Sequence, residues 1–540
     1  MQLIKPLLFL IGLNTLLSCI SQTTLTNNSF LTANPNKTQL ILASSKNHGD
    51  LGERYAKAHH YKEAITATRQ AIFKAQEANA PAWLIRWQWQ LGHIFASSGK
   101  TNQAIQALSQ AVQGLVPVDK TFGWDMTECN ALGDTSLYHK LRPLFSELAD
   151  LLLQRAAKNP AKKQHDLQHV RNTIEQLKTA DIENYFGDCV TALPKRSIAE
   201  IDAPHTAVIY PILLNERLEL LIGFPQSPSL HQFIVPVKRD EVRDTVQQFR
   251  AALLTGHDEP ENTHYLIYAQ KLYQWLIEPL QETLKQQQIH TLVFVPEGIL
   301  NMLSMAALHD GKQFLIEKYA VAITPSLNLT DLNSNPLTPE QTTVLITGLT
   351  EAAQGYPKLP YAEKEINAIT KIYHRSTSLL NEQFTATNFE QALKKSNYNL
   401  VHLISHAEFA HNIKDSFIVT NDGKLKFTDK PESAIFTKNR HPPLELLTLS
   451  ACNTAKGDKE WAALGLSGIA IQAGARSSLA TLWKAHDKVT YHLIKDFYKH
   501  KPLKHHSKAQ ALQIAQQEVL NSSYHHPFYW ASLVLIGNWL

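Results

Sequence analysis

Leu400-Val-His-Leu-Ile-Ser-His406 and Leu444-Glu-Leu-Leu-Thr-Leu-Ser-Ala-Cys452 are two short apolar runs, and each ends in a residue that can do chemistry. Their length and near-continuous hydrophobicity predict strands buried on both faces of a parallel sheet. In open α/β sheets, catalytic groups sit beyond the carboxyl ends of the strands, where His406 and Cys452 would emerge. An imidazole beside a thiol is a nucleophile with its base. A cysteine in an apolar strand is more often a small buried hydrophobe. Against that, the chain turns polar directly after Cys452, at Asn453-Thr454, and a loop containing Gly457-Asp458 leads to a predicted helix over 462–473.

Around these two runs the C-terminal half alternates strands and helices. Strands are predicted at 291–295, 343–347 and 478–482, with a final one over 530–536, and a helix at 361–373. Further upstream, Ala207–Leu214 and Leu218–Ile222 flank Asn215-Glu216-Arg217 and read as a hairpin. A strand over 230–237 and amphipathic helices over 240–254 and 264–287 follow. The region 200–540 thus reads as one three-layer α/β domain, mostly parallel in its sheet.

The N-terminal part has a different period. Leu51-Gly52, Tyr55, Ala64, Thr68 and Ala71 recur 40 residues on as Leu91-Gly92, Phe95, Ala104, Leu108 and Ala111. Small residues at fixed spacing let helices approach closely, and the aromatics fill the groove between them. The pattern resembles the tetratricopeptide repeat and predicts an all-α domain over 48–190, offering a docking groove or plain scaffolding. Leu141, Leu144, Leu148, Leu151 and Leu152 continue the helical face beyond it.

Residues 1–18 carry one lysine and then an apolar stretch too short to span a bilayer comfortably, which reads as an export signal. Leu16-Leu-Ser-Cys19 resembles a bacterial lipobox, so Cys19 is the expected lipidation site and 19–47 a polar tether, the alternatives being an ordinary cleaved signal or a short membrane anchor. The expected location is the periplasmic face of a bacterial membrane. Cys129 and Cys189 are left over, and an oxidising compartment would permit them to pair. The charge balance, 52 basic against 48 acidic side chains, gives no argument for nucleic acid. The histidine doublets lack partners at metal-ligand spacing, so no metal is expected.

Ser405-His-Ala-Glu-Phe409 and Leu449-Ser-Ala-Cys-Asn-Thr454 are similar to the paired motifs of the CHAT family, caspase-like cysteine peptidases found with tetratricopeptide repeats. Ala463–Ala470, Ala473–Ser477, Leu482-Trp483, Asp487, Phe497-Tyr498 and Tyr529–Ala531 extend the resemblance, as do Val295-Pro296 and Thr324–Leu327 upstream. The resemblance implies a caspase-like fold over 200–540 and a His406/Cys452 dyad without any cofactor. It also implies an oxyanion hole made by the backbone N–H groups of Cys452 and Ala407, and an Asp487 carboxylate that pairs with a basic P1 side chain or simply caps a helix. The chain departs from the family pattern at Ala407, often glycine, at Ser405, commonly threonine, and at Ser304, usually proline. The activity implied is cleavage of a protein substrate, with substrate or regulator recruited by the repeats. The rival readings are a docking scaffold without catalysis and a zymogen that processes itself.

Overall fold

The computed structural model describes residues 35–115, 135–186, 197–333, 338–410, 413–427, 442–453, 468, 473–484, 486–500 and 506–540, with residues 35–36, 135–140, 184 and 451–453 described in their backbone alone. The expected export signal and lipobox-like stretch with Cys19, the cysteines Cys129 and Cys189, and nearly all of the helix expected at 462–473 lie outside those residues. The chain divides into two compact units, 1–189 and 190–540.

The first unit is all helical: α1 Pro35–Lys57, α2 Tyr61–Glu77, α3 Pro81–Ser97, α4 Thr101–Gln113, α5 Thr135–Lys158 and α6 Lys163–Phe186. The 40-residue period appears as two successive hairpins with the same internal contact. A β-carbon on Gly52 would lie 2.3 Å from Thr68 Oγ1, and one on Gly92 would lie 2.5 Å from Leu108 Cδ2. Ala64, Ala71, Ala104 and Ala111 are fully buried, which lets the paired helices close to that distance.

The tether expected over 19–47 is corrected from residue 35 onward, because α1 begins there. Its polar composition conceals a buried seam. Ser45 donates to the Ala71 carbonyl (2.8 Å) and accepts from Trp87 Nε1 (2.9 Å), while Gly49 lies against the Trp87 ring. Tertiary packing here overrides weak local propensity. Among the described residues no helix is long and apolar enough to cross a membrane.

The second unit is the expected α/β domain. Its strands are β1 Thr206–Leu213, β2 Leu218–Gly223, β3 Leu230–Val235, β4 Thr291–Phe294, β5 Ala320–Ile323, β6 Thr343–Gly348 and β7 Arg375–Leu380. They continue with β8 Leu400–Glu408, β9 Phe417–Thr420, β10 Gly423–Lys426, β11 Leu446–Asn453, β12 Ser477–Thr481 and β13 Leu533–Gly537. The described strands form one sheet in the order β7-β6-β8-β11-β12-β13-β5-β4-β1-β2-β3, with the β9–β10 hairpin joined to the end of β8. Strands β1, β2, β12 and β13 are buried at every residue, which requires cover on both faces and hence three layers.

The sheet contains two parallel blocks of opposite direction. Strands β7, β6, β8, β11 and β12 run one way, while β13, β5, β4 and β1 run the other, and the two meet at the antiparallel β12–β13 pair. The helices that bear on the site are α7 Arg239–Leu254, α8 Tyr265–Leu276, α9 Gln281–Gln286, α10 Ala362–Ile372, α11 Ala386–Lys395, α12 Asp487–His500 and α13 Lys508–Leu520. The single helix expected over 264–287 is split into α8 and α9 by a short turn at Pro279, which cannot continue the hydrogen-bond ladder. Likewise Pro527–Trp530 is a helical turn, and the last strand starts only at Leu533.

Candidate active site

The histidine-ended and cysteine-ended runs, β8 and β11, are neighbouring parallel strands. Leu446 pairs with Leu400, and the register holds through Ser450 opposite Ile404. There β8 gains one residue, so that Cys452 pairs with Ala407 and Asn453 with Glu408. This irregularity sets two residues of β8, Ser405 and His406, against the single residue Ala451 of β11. Bulges of this kind re-aim a side chain at the end of a pairing. Adjacent strands lie about 4.8 Å apart, so the backbones at 406 and 452 are immediate neighbours across the sheet.

His406 is half-buried, and its surroundings settle which ring nitrogen carries hydrogen. Nε2 lies 2.9 Å from the Pro357 carbonyl oxygen. A carbonyl can only accept, so Nε2 donates and the Nδ1 lone pair is left available. The ring also stacks on Tyr356, with centroids 5.0 Å apart and planes 29° from parallel. Both partners come from the loop after β6 that leads into α10. Ala407, 3% exposed, has strand partners on both sides, Cys452 and Ile418.

Asp487 opens α12, and its Oδ2 accepts the backbone N–H of Tyr361 at 2.7 Å. Burial pushes this carboxyl up from the usual carboxylate range and the nearby Glu365 adds to the effect, while the Tyr361 N–H, His486 and His406 oppose it. Glu408 and Asp415, the other acids near the histidine loop, lie at the end of β8 and in a short helical turn over 413–415.

Below the strand ends is a buried polar network that the sequence reading missed. His402, one helix-facing step before Ile404, is fully buried, and its Nε2 lies 2.7 Å from Glu365 Oε1 on α10. Its Nδ1 meets the Tyr498 hydroxyl at 3.2 Å, and that hydroxyl in turn meets Thr448 Oγ1 on β11 at 2.7 Å. Burial pushes the Tyr498 phenol far above its ordinary value, so it stays protonated. The network ties β8 and β11 to α10 and α12. One signal was visible: Glu365 occupies the apolar stripe of its helix with Ala362, Ile366 and Ile369, a place where an unpaired carboxylate is costly.

The Leu482-Trp483 motif is anchored in the same rigid manner. Trp483 Nε1 donates to the Phe528 carbonyl at 3.0 Å. The Arg250 guanidinium of α7, lowered by burial to about 10, donates to the Leu482 carbonyl at 2.8 Å.

The family model described as the CHAT domain matches residues 266–538, slightly more than half of the 540 residues. The match covers β4–β13 and begins after the β1–β3 strands, so it is narrower than the 200–540 expected. Among solved structures, the chain is similar to the Arg-specific cysteine proteinase gingipain R, with a TM-score of 0.34 and 10% identity over 56% of this chain and 74% of that one. A complex of the pro- and mature domains of RgpB from Porphyromonas gingivalis gives a TM-score of 0.34 and 9% identity, covering 56% and 76%. Likeness at this level transfers no residue role. No curated protein matches the chain. The family's model matches most of the α/β unit, in which the histidine and cysteine strands lie side by side, and the chain belongs to the CHAT family.

Proposed function

We propose that this chain is an exported, lipid-anchored cysteine endopeptidase in which His406 and Cys452 form the catalytic dyad. The observation that carries the reading is the register of β8 and β11, with Cys452 opposite Ala407 and His406 the residue before it. The hydrogen bond from His406 Nε2 to Pro357 supports it further, because it leaves Nδ1 as the proton acceptor.

In this mechanism Nδ1 takes the thiol proton as sulfur adds to the scissile carbonyl carbon. The oxyanion that forms is held by the backbone N–H groups of Cys452 and Ala407. Collapse breaks the C–N bond, the imidazolium returns its proton to the leaving amine, and a thioester remains. Water deprotonated by the same imidazole then hydrolyses the thioester and restores the thiol. No step calls for a metal or organic cofactor.

The helical unit is the proposed recruiting surface for substrate or regulator. Support comes from an open depression of about 520 Å³ lined by His48, Thr66, Arg69, Gln70, Phe73 and Lys74, in which Phe73 is 62% exposed. The proposed anchor is lipid on Cys19. Labelling with a palmitate analogue tests that part: label that persists in Cys19→Ser removes it.

Cleavage of a diverse peptide library by the wild-type chain, by Cys452→Ala and by His406→Ala tests the chemistry. Loss of all cleavage in both variants is expected. A cleavage profile unchanged by Cys452→Ala leaves the chain a docking protein.

A further inference from the structure

The segment 356–365 is held at three points, each four residues from the next. Pro357 gives its carbonyl to Nε2 of His406 at 2.9 Å. Tyr361 donates its backbone N–H to Asp487 Oδ2 at 2.7 Å. Glu365 Oε1 lies 2.7 Å from Nε2 of His402. The first and third points come from β8, on histidines four residues apart. The middle point comes from α12, where Asp487 Oδ2 is engaged with main chain.

The main-chain donor at Tyr361 has little else to satisfy it. Tyr361 is the N-cap of α10, where helix N–H groups lack intrahelical acceptors, and its own side chain makes no capping bond. A carboxylate at that end also suits the helix dipole. From Tyr361 the chain leads back to Pro357 through Pro360, and fixed φ at both prolines stiffens the path. A shift at 361 is therefore transmitted to the carbonyl and to the Tyr356 ring that hold His406.

We propose that Asp487 is a positioning residue: through the Tyr361 N–H it holds the Pro357 carbonyl and the Tyr356 ring against His406, and it does not act as a receptor for a basic P1 side chain. This rests on His406 serving as the base of the dyad. Without the carboxylate the loop relaxes, Nε2 loses its acceptor, and the imidazole no longer reserves Nδ1 for the thiol proton.

The experiment uses the full chain and the variants Asp487→Asn and Asp487→Ala, with three readouts. The first is ¹⁵N NMR of the His406 ring, assigned by difference against His406→Gln, which reports the tautomer. The second is hydrogen exchange of segment 356–361. The third is kcat and KM on peptides with basic, apolar and acidic P1 residues.

Asparagine keeps an oxygen for the Tyr361 N–H, so Asp487→Asn should retain the Nε2–H tautomer, the exchange protection and kcat within about threefold. Asp487→Ala should mix the tautomers, speed exchange and lower kcat roughly 100-fold for every P1 class with KM little changed. Basic-P1 cleavage lost through KM in Asp487→Asn, with tautomer and exchange unchanged in both variants, overturns the proposal. So does a wild-type segment 356–361 that exchanges without protection. The tautomer and exchange readouts need no turnover, so they decide the positioning role even if the dyad reading itself fails by Cys452→Ala cleaving normally.

Discussion

Gly348→Ala examines whether the histidine strand is held as tightly as its neighbours require. Gly348 ends β6 and pairs with Ile404, two residues before His406. A β-carbon built there lies 2.1 Å from the Ile404 carbonyl oxygen and 2.8 Å from its carbonyl carbon. Ordinary carbon–oxygen contacts are about 3.3–3.6 Å, so one strand must retreat by about 1.2 Å or more. The same carbonyl accepts the Leu349 N–H at 2.9 Å, and that retreat takes the pair out of hydrogen-bonding range. Leu349 and Ile404 are 3% and 2% exposed, so water does not replace the lost bond. Overpacking costs about 1–3 kcal/mol and a buried unmet donor about the same, giving about 2–6 kcal/mol in all. Because β8 also carries His406, cleavage should drop by roughly 100-fold even where the variant is folded. Urea unfolding of the full chain, followed by the sheet unit's own signal, measures the first effect and peptide cleavage the second. A variant within about 0.5 kcal/mol of wild type refutes the packing argument, since neither strand could then be fixed in place.

Two further outcomes follow from groups outside the dyad. Glu365→Ala strands His402 in a fully buried site and should destabilise the sheet unit by about 3–5 kcal/mol, whereas Glu365→Gln keeps an acceptor and should cost clearly less; equal melting shifts for the two variants contradict the pairing. His526, 1% exposed and accepting the Phe528 N–H on Nδ1, is lowered by burial to about 4 from an ordinary value near 6.5. The unfolded chain therefore binds a proton that the folded chain refuses, and stability should fall as pH drops from about 6.5 to about 4, by about 3 kcal/mol in total. His526→Gln should flatten that part of the stability–pH curve; an unchanged slope removes the assignment.

Much of the α/β unit was legible because its strands are long apolar runs bounded by turn residues. The β1–β2 hairpin, β6, β8, β11 and β12 lie within one or two residues of their expected places. Strand β7 was not legible: Arg375-Ser-Thr-Ser is polar and half exposed, and only its pairing with β6 makes it a strand. The reversal of direction at β12–β13 is a matter of chain routing, which local hydrophobicity does not encode. Helix α1 was hidden by its Ser, Thr and Asn content, since its stability comes from burying Ser45 and Gly49 against Trp87. At the site, the residue types at 406 and 452 announced the chemistry, but their adjacency depends on sheet order. The supports of His406 were invisible for another reason. Pro357 and Tyr361 act through main-chain atoms, which every residue possesses, so no side-chain pattern marks them.

The claim that most else depends on is that Cys452 is a nucleophile driven by His406. A panel of peptidyl acyloxymethyl ketones varied at P1, followed by peptide mapping of the adduct, tests it without knowledge of the natural substrate. A single adduct on Cys452, formed by the wild-type chain and lost in a folded His406→Ala variant, is the expected result. Labelling spread over Cys19, Cys129 and Cys189 as readily as Cys452, or unaffected by removal of His406, contradicts the account.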